Sequence, residues 1–298
     1  MSRGYGEGVT LPQADTRVSY PDGDTVSTGT VLHVEPLADG RSVVVLDRTA
    51  FHPVDTAWPD QPADRGRMRW GGGEITIVDG VTGGIHDGRL LLGRELPVRM
   101  GTPEWTFVVG HVVEDEPPAV GAEVEVTVDA GYRAALSAGH TACHLASLAL
   151  DAALADAWTK PVPTDALGAP GFDAVAIQTS RIEELGSTDV YRIGKSLRKK
   201  GFDVTVLDDL DAVAARADAA LAEWVATGAP IRIDRDDDAI SARRSWVCGL
   251  PGHEARIPCG GTHLTGLDAV EAITIVLELA DVEGGRELRM RTTIALRD

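Results

Sequence analysis

Glu123-Val124-Glu125-Val126-Thr127-Val128-Asp129-Ala130-Gly131-Tyr132-Arg133-Ala134-Ala135-Leu136-Ser137-Ala138-Gly139-His140-Thr141-Ala142-Cys143-His144 changes its periodicity midway. In the first part Val124, Val126 and Val128 share one face and Glu123, Glu125 and Thr127 the other, the period-2 pattern of a half-buried strand. From Gly131 the alternation stops. Ala and Leu dominate from Tyr132 to about Trp158, no proline interrupts, and Gly139 is the sole interior glycine, so the run predicts a long helix. Strands precede this junction, and helices first occur after it.

Upstream, short apolar runs read as strands at Val31–Leu37, Arg41–Ala50, Glu74–Asp79, Arg89–Leu92 and Glu104–Val113, closed by Ala122–Asp129. Turn signals separate them at Ala38-Asp39-Gly40, Asp79-Gly80, Gly83-Gly84 and Asp87-Gly88. Many short strands with frequent turns suggest a small barrel or sandwich. Downstream, the Pro- and Gly-rich Lys160–Phe172 predicts a loop. A second helix is expected from Thr188 or Asp189 to Lys200, ended by Gly201. A third is expected over Asp208–Thr227, with Leu210, Val213, Ala217, Leu221 and Trp224 as its apolar stripe and Gly228 as its end. Strands return at Ala272–Leu279 and Glu287–Leu296, around Glu283-Gly284-Gly285. The expected class is α+β: a β domain over residues 1–128 and an α+β domain over 129–298.

With 298 residues, 43% hydrophobic and 25% charged, the chain should fold into one or two domains with buried cores. No apolar leader follows Met1. Ser137, His140, Thr141 and His144 break the apolar stretch Ala134–Leu150, so it does not read as a membrane span. Three scattered cysteines, Cys143, Cys248 and Cys259, do not make a disulfide framework. These features predict a cytoplasmic protein without a membrane partner. A net charge of −18 argues against a coat for DNA or RNA, which needs clustered Lys and Arg, but leaves room for one local basic strip. Of the four lysines (160, 195, 199, 200), three fall in Lys195-Ser196-Leu197-Arg198-Lys199-Lys200. Lys195, Arg198, Lys199 and Lys200 read either as a solvated helix end or as a phosphate-binding strip.

Two spaced pairs carry the chemistry. His140 and His144, at i,i+4 on a helix, stack on one face. Cys259 and His263 flank Gly260-Gly261-Thr262, where paired glycines permit a tight turn. Three imidazoles and a thiolate form a borderline-soft donor set suited to zinc. Chance supplies about 0.2 His-x3-His pairs and about 0.1 Cys-x3-His pairs in such a chain, so both occur together in only about 2% of cases. A His-Glu-x-x-His protease is excluded because Thr141 stands where the general-base Glu would be. Cys143 points off the histidine face and reads as a small core residue.

His-Thr-Ala-x-His-Leu followed far downstream by Cys-Gly-Gly-Thr-His resembles the editing domain of alanyl- and threonyl-tRNA synthetases and the free-standing AlaX-type deacylases. Val128-Asp129 with Arg133, and Val45-Leu46-Asp47-Arg48-Thr49-Ala50-Phe51, are similar to the family's approaches to its site. The resemblance covers most of the chain except Asp79–Glu104 and Lys160–Phe172. It implies an N-terminal small β-barrel ahead of an α+β zinc-binding editing domain. It also implies Zn(2+) held by His140, His144, Cys259 and His263, and an aminoacylated tRNA as partner, engaged at its acceptor end. The implied activity is release of a mischarged amino acid, such as serine or glycine on tRNA of alanine identity.

The chain departs from the family where Glu-Gly-Gly-Gly-Gln-Pro normally follows Phe-Tyr-Pro. Here Trp58-Pro59-Asp60 replaces the glycines, while Gln61-Pro62, Asp64 and Gly66 keep their places. Thr56, Trp58, Gln61 and Asp64, with Gly260, Gly261 and Thr262, are the expected substrate-binding residues. Added bulk and stiffness in this loop point to a threonine-like acyl group, fluorothreonine among them, or else to drift in a surface loop. Two other function classes fit the residues: a non-catalytic tRNA-binding protein with a structural zinc site, and a small-molecule metallohydrolase unconnected with RNA.

Overall fold

The computed structural model describes residues 11–297. The chain forms two compact units: one runs through Arg133 and includes Arg235–Arg243, the other comprises Ala134–Asp234 and Arg244–Asp298. It is a mixed α+β protein.

The first unit contains β1 (Arg17–Val18), β2 (Val26–Pro36), β3 (Ser42–Leu46), β4 (Arg48–Thr49), β5 (Gly66–Trp70), β6 (Gly73–His86), β7 (Arg89–Leu92), β8 (Thr106–Val113) and β9 (Glu123–Val128). Its main sheet has the order β5-β9-β2-β3-β8-β6-β7, and β5 also pairs with β6. Inward residues of these strands, among them Val31, Leu46, Met68, Ile77, Val124 and Val126, make one core with Phe51. Val43–Leu46 is buried at every position because a second apolar layer, including Ile85, Val108 and Val112, covers the other face of β3.

Two expectations change here. Asp79-Gly80 and Gly83-Gly84 are not turns, because β6 runs through both. Their glycines serve packing: a Cβ on Gly80 would lie 2.5 Å from the Phe51 ring, and one on Gly83 would meet Leu92 and Val108. The expected strand Arg41–Ala50 breaks at Asp47, whose Oδ1 accepts the Thr30 N–H at 2.7 Å. Arg235–Arg243 joins this unit through Ile240, which packs with Val18, Tyr20, Phe107 and Val109, and through the bidentate Arg235–Asp22 pair.

The second unit takes most of α1 (Ala130–Ala153), then α2 (Phe172–Ala176), β10 (Ile177–Glu183), β11 (Gly186–Gly194), α3 (Lys195–Lys199), α4 (Leu210–Ala226), β12 (Ile231–Arg235), β13 (Arg244–Leu250), β14 (His253–Pro258), β15 (Val270–Val282) and β16 (Gly285–Leu296). Its sheets have the orders β10-β11-β16-β15 and β12-β13-β14. The helix expected from Thr188 or Asp189 is instead strand up to Gly194. Ser187, Asp189, Tyr191 and Ile193 alternate inward, and only Lys195–Lys199 is helical. α4 begins at its Asp209 cap, which accepts the Ala212 N–H at 3.0 Å, and buries Val213, Ala217, Leu221 and Trp224 as the stripe predicts. Asp218 on α4 accepts the Ile275 N–H at 2.9 Å and so covers part of the β15 edge.

Candidate metal centre

α1 is buried along much of its length: Leu136, Ala138, Ala142, Leu145, Ala146 and Ala149 pack into the core. Gly139 is required by proximity, since a Cβ there would lie 2.5 Å from the Gly186 carbonyl oxygen and would also strike that of Glu183. The β10–β11 hairpin thus presses on one side of α1. Ser137, His140, Thr141 and His144, at helical spacing, occupy another side and meet the Cys259–His263 segment.

The side-chain nitrogen of each histidine and the thiol of Cys259 lie within 4.8 Å of one another, the one such group among the described residues. Cys259 Sγ is 3.2 Å from His263 Nε2 and 3.5 Å from His140 Nε2. Zinc bonds of about 2.0–2.3 Å in a tetrahedron place neighbouring donor atoms about 3.3–3.8 Å apart, so the separation to His140 matches a bound ion and that to His263 falls just short of it. His144 Nε2 is shut from solvent and has no hydrogen-bond partner. Burial lowers the His144 pKa to about 4, which keeps the ring neutral and its nitrogen lone pair available. An orphaned imidazole nitrogen in a ring of donors is what a metal would satisfy. The cluster could therefore hold a metal ion.

Neighbouring groups set the orientation of the donors. Thr141 Oγ1 accepts the Leu264 N–H at 3.0 Å and lies 3.4 Å from His263 Nδ1. A proton on that Nδ1 leaves Nε2 free to face the thiol. Ser137 Oγ is 2.9 Å from Thr262 Oγ1, tying α1 to the segment a second time. The Gly261 N–H points at Cys259 Sγ at 3.5 Å, and the Cys259 N–H donates to the Arg244 carbonyl at 3.1 Å. The Gly261 amide is thus engaged by sulfur. Gly260 keeps an ordinary φ with open space where a Cβ would stand, so the turn does not require a left-handed glycine there. The indole of Trp246, fully buried on β13, packs 5.2 Å from the His144 ring and walls the cluster. Ser137, Thr141 and Trp246 are not among the site residues expected from the sequence. Ser137 and Thr141 could have been, by helical spacing from the histidines, whereas Trp246 carries no such signal.

Cys143 lies off the ligand face. Its thiol contacts Asp189 at 3.6 Å, and the same carboxylate accepts from Ser180 and Ser187 at 2.6 and 2.9 Å. Farther along α1, Asp151 Oδ1 accepts the Asp173 N–H at 2.7 Å, and burial raises the Asp151 pKa to about 8.

The expected substrate loop belongs to the first unit. Thr56 is half-buried, Trp58 is 44% exposed, and Gln61 is buried. Asp64 is not open to a substrate: its side chain is fully buried and paired with Arg133, and its Oδ2 also accepts the His52 N–H at 2.6 Å. Arg133 Nη2 donates as well to the Ala50 carbonyl at 2.8 Å, so Asp64 acts as a tie at the base of the loop. Lys195, Arg198, Lys199 and Lys200 all lie exposed on and just after α3. No helix among the described residues is long and apolar enough to cross a membrane.

No family model matches the chain. It is 40% identical over 107 residues to the alanine–tRNA ligase of Pyrobaculum neutrophilum and 35% identical over 107 residues to that of Methanopyrus kandleri, in each case 36% of this chain. It is 32% identical over 102 residues to the alanine–tRNA ligase of Caldivirga maquilingensis. Each match spans only 9% of the relative. Over about a third of its length, then, this chain is homologous to alanine–tRNA ligases, consistent with an AlaX-like editing domain.

Proposed function

We propose that the chain is a zinc-dependent aminoacyl-tRNA deacylase, acting in the cytoplasm on a mischarged or toxic amino acid esterified to the 3′ end of tRNA. The convergence of His140, His144, Cys259 and His263, with His144 Nε2 buried and unpartnered, carries this reading. Homology to alanine–tRNA ligases supports the tRNA connection. The ring of pairings closed by β5 and β6 supports reading the first unit as a small β-barrel domain. Residues 129–298, apart from Arg235–Arg243, which packs with that first unit, are proposed as the editing domain.

When bound, zinc would supply Lewis acidity toward an ester carbonyl or a water. The protein's own groups do the positioning. Thr141 Oγ1 stands within reach of a proton on His263 Nδ1, burial keeps His144 neutral, and the Gly261 N–H points at Cys259 Sγ. A backbone N–H of the Gly260–Thr262 segment would steady a developing oxyanion. Thr56, Trp58 and Gln61 would read the acyl group, with Asp64 holding the loop's base. In the reaction water adds to the acyl carbon, the ester C–O bond breaks, and the ribose hydroxyl leaves with a proton. Serine or glycine on tRNA of alanine identity, or a threonine-like residue such as fluorothreonine, are the substrates proposed. One observation favours a second reading, a non-catalytic tRNA-binding protein with a structural zinc: all four donors come from the protein, as in a closed site.

A panel of aminoacyl-tRNAs, scored for release of free amino acid, separates the two. Release from at least one, lost on chelation and restored by zinc, supports the deacylase. No release from any, or undiminished release by metal-free protein, refutes it.

A further inference from the structure

Every lysine of this chain is at position 160, 195, 199 or 200, and the fold collects all four in one place. Lys160 stands 39 residues before Lys199, yet its Nζ donates to the Lys199 carbonyl at 3.0 Å. The approach is built by backbone. The Thr159 N–H donates to the Gly201 carbonyl at 2.9 Å, Trp158 bridges to Phe202, and the Asp203 N–H donates to the Ala157 carbonyl at 2.8 Å. Gly201, at φ +97, leaves room for the Lys160 side chain. Leu197 is the buried anchor of α3, which turns Lys195, Arg198, Lys199 and Lys200 outward.

Acids outnumber bases 46 to 28, and most of the protein's ion pairs join an arginine to a nearby acid. Among the described residues, Lys160, Lys195, Arg198, Lys199 and Lys200 form no ion pair. The acids that follow are engaged elsewhere: Asp203 caps Thr205 at 3.0 Å, and Asp208 faces Arg286 at 3.4 Å. Screening over about 8 Å at physiological salt lets such a patch act locally despite the net charge of −18.

A helix-end explanation does not cover these residues. α3 begins at Lys195, so that cation sits at the pole where the helix dipole disfavours it. Lys160 already serves the C-terminal carbonyls and keeps two of its three donors for another acceptor. Five exposed cations that form no ion pair among the described residues match a run of phosphodiesters. We propose that Lys160, Lys195, Arg198, Lys199 and Lys200 form the surface that grips the tRNA backbone. This inference rests on the tRNA partner proposed above and adds the place and chemistry of its hold.

The test is fluorescence anisotropy of labelled, uncharged bulk tRNA with the full chain, titrated with NaCl. Each phosphate that is no longer neutralised should reduce the slope of log K against log salt by about 0.7–0.9. Changing all five residues to Ala should therefore flatten it by roughly 3.5–4.5 and weaken binding at least tenfold. Lys160→Arg should retain binding. Lys195→Ala removes an exposed side chain that forms no ion pair, so its one-phosphate change in slope serves if the fivefold variant fails to fold. Arg89→Glu, an exposed reversal in the first unit, is the control. Unchanged slope and affinity in the patch variants, or an equal loss in Arg89→Glu, overturns the proposal. So does a patch whose loss abolishes binding to phosphatidylserine vesicles while tRNA binding stays intact. Aminoacyl-ester hydrolysis with an unchanged KM in the patch variants overturns the patch alone; patch-dependent tRNA binding without hydrolysis of any ester overturns the deacylase alone.

Discussion

Arg133→Met removes the cation from one of the most enclosed ion pairs in the protein. The Arg133 and Asp64 side chains are 5% and 0% exposed, and Arg133 Nε donates to Asp64 Oδ1 at 2.7 Å while Nη2 donates to Oδ2. The same guanidinium reaches the Ala50 carbonyl at 2.8 Å and the Asp24 carbonyl at 3.3 Å, so three segments depend on it. Without Arg133, the Asp64 carboxylate keeps only the His52 N–H at 2.6 Å. Breaking a buried pair on one side typically costs about 3–5 kcal/mol because a charge is left unpaired out of water. With urea m-values of about 1–3 kcal/mol/M, the transition of the first unit should move by roughly 1–5 M. Hydrogen exchange at Val44–Leu46 assigns the loss to that unit. Arg133→Lys should recover little, since an ammonium cannot reproduce the bidentate fork. Arg133→Met with Asp64→Leu should lose less than the two single losses summed, by about 0.5–3 kcal/mol, because neither charge remains. A loss below about 1 kcal/mol for Arg133→Met, or strict additivity in the double variant, would refute the reasoning.

Purified protein should carry about one zinc per chain, and His140→Ala or Cys259→Ala should strip it as measured by elemental analysis; full retention of metal in both variants would count against the site. Gly139→Ala should lower stability by about 2 kcal/mol or more despite alanine's better helix propensity, because its Cβ meets the Gly186 carbonyl; a raised melting temperature would contradict this. Asp151 keeps its proton to about pH 8 in the folded chain but loses it near pH 4 when unfolded, so its contribution is full at low pH and falls by up to about 1.4 kcal/mol per unit as pH rises between those values. Asp151→Asn, which can still accept the Asp173 N–H, should therefore flatten the decline in urea stability from pH 5 to pH 8, and an unchanged slope would show that Asp151 is ionised throughout. Replacing Trp58-Pro59-Asp60 with three glycines should shift the ratio of kcat/KM toward seryl-tRNA over threonyl-type substrates by about tenfold, equivalent to roughly 1.4 kcal/mol; an untouched ratio would make the loop irrelevant to specificity.

Local pattern was enough wherever one period dominated. β9, α4 and the strands at the end of the chain are legible because alternate or i,i+3/i+4 positions are apolar and their partners polar. The metal donors are legible for a related reason: i,i+4 spacing on a helix and three intervening residues in a short turn bring side chains together by local geometry alone. β11 was misread because polar Ser187 and Asp189 sit on its buried face, where hydroxyls and a thiol satisfy the Asp189 carboxylate. No pattern of apolar residues marks such a face. Glycine misled for a similar reason. At Gly80 and Gly83 it makes room for side chains from other strands, and a missing Cβ reads in sequence as a turn.

The sequence by itself therefore determined the α+β class, the strand-to-helix change near Asp129, the donors for a metal and the confinement of lysine to a few positions. Only the tertiary structure decided that Asp64 is consumed by Arg133, that Gly139 must admit a passing backbone, that Trp246 walls the histidines and that Lys160 joins the other lysines. Each of these depends on the approach of residues far apart in the chain, set by how sheets and helices pack, and spacing along a sequence encodes proximity only over the few residues that a single helix turn or strand pair spans.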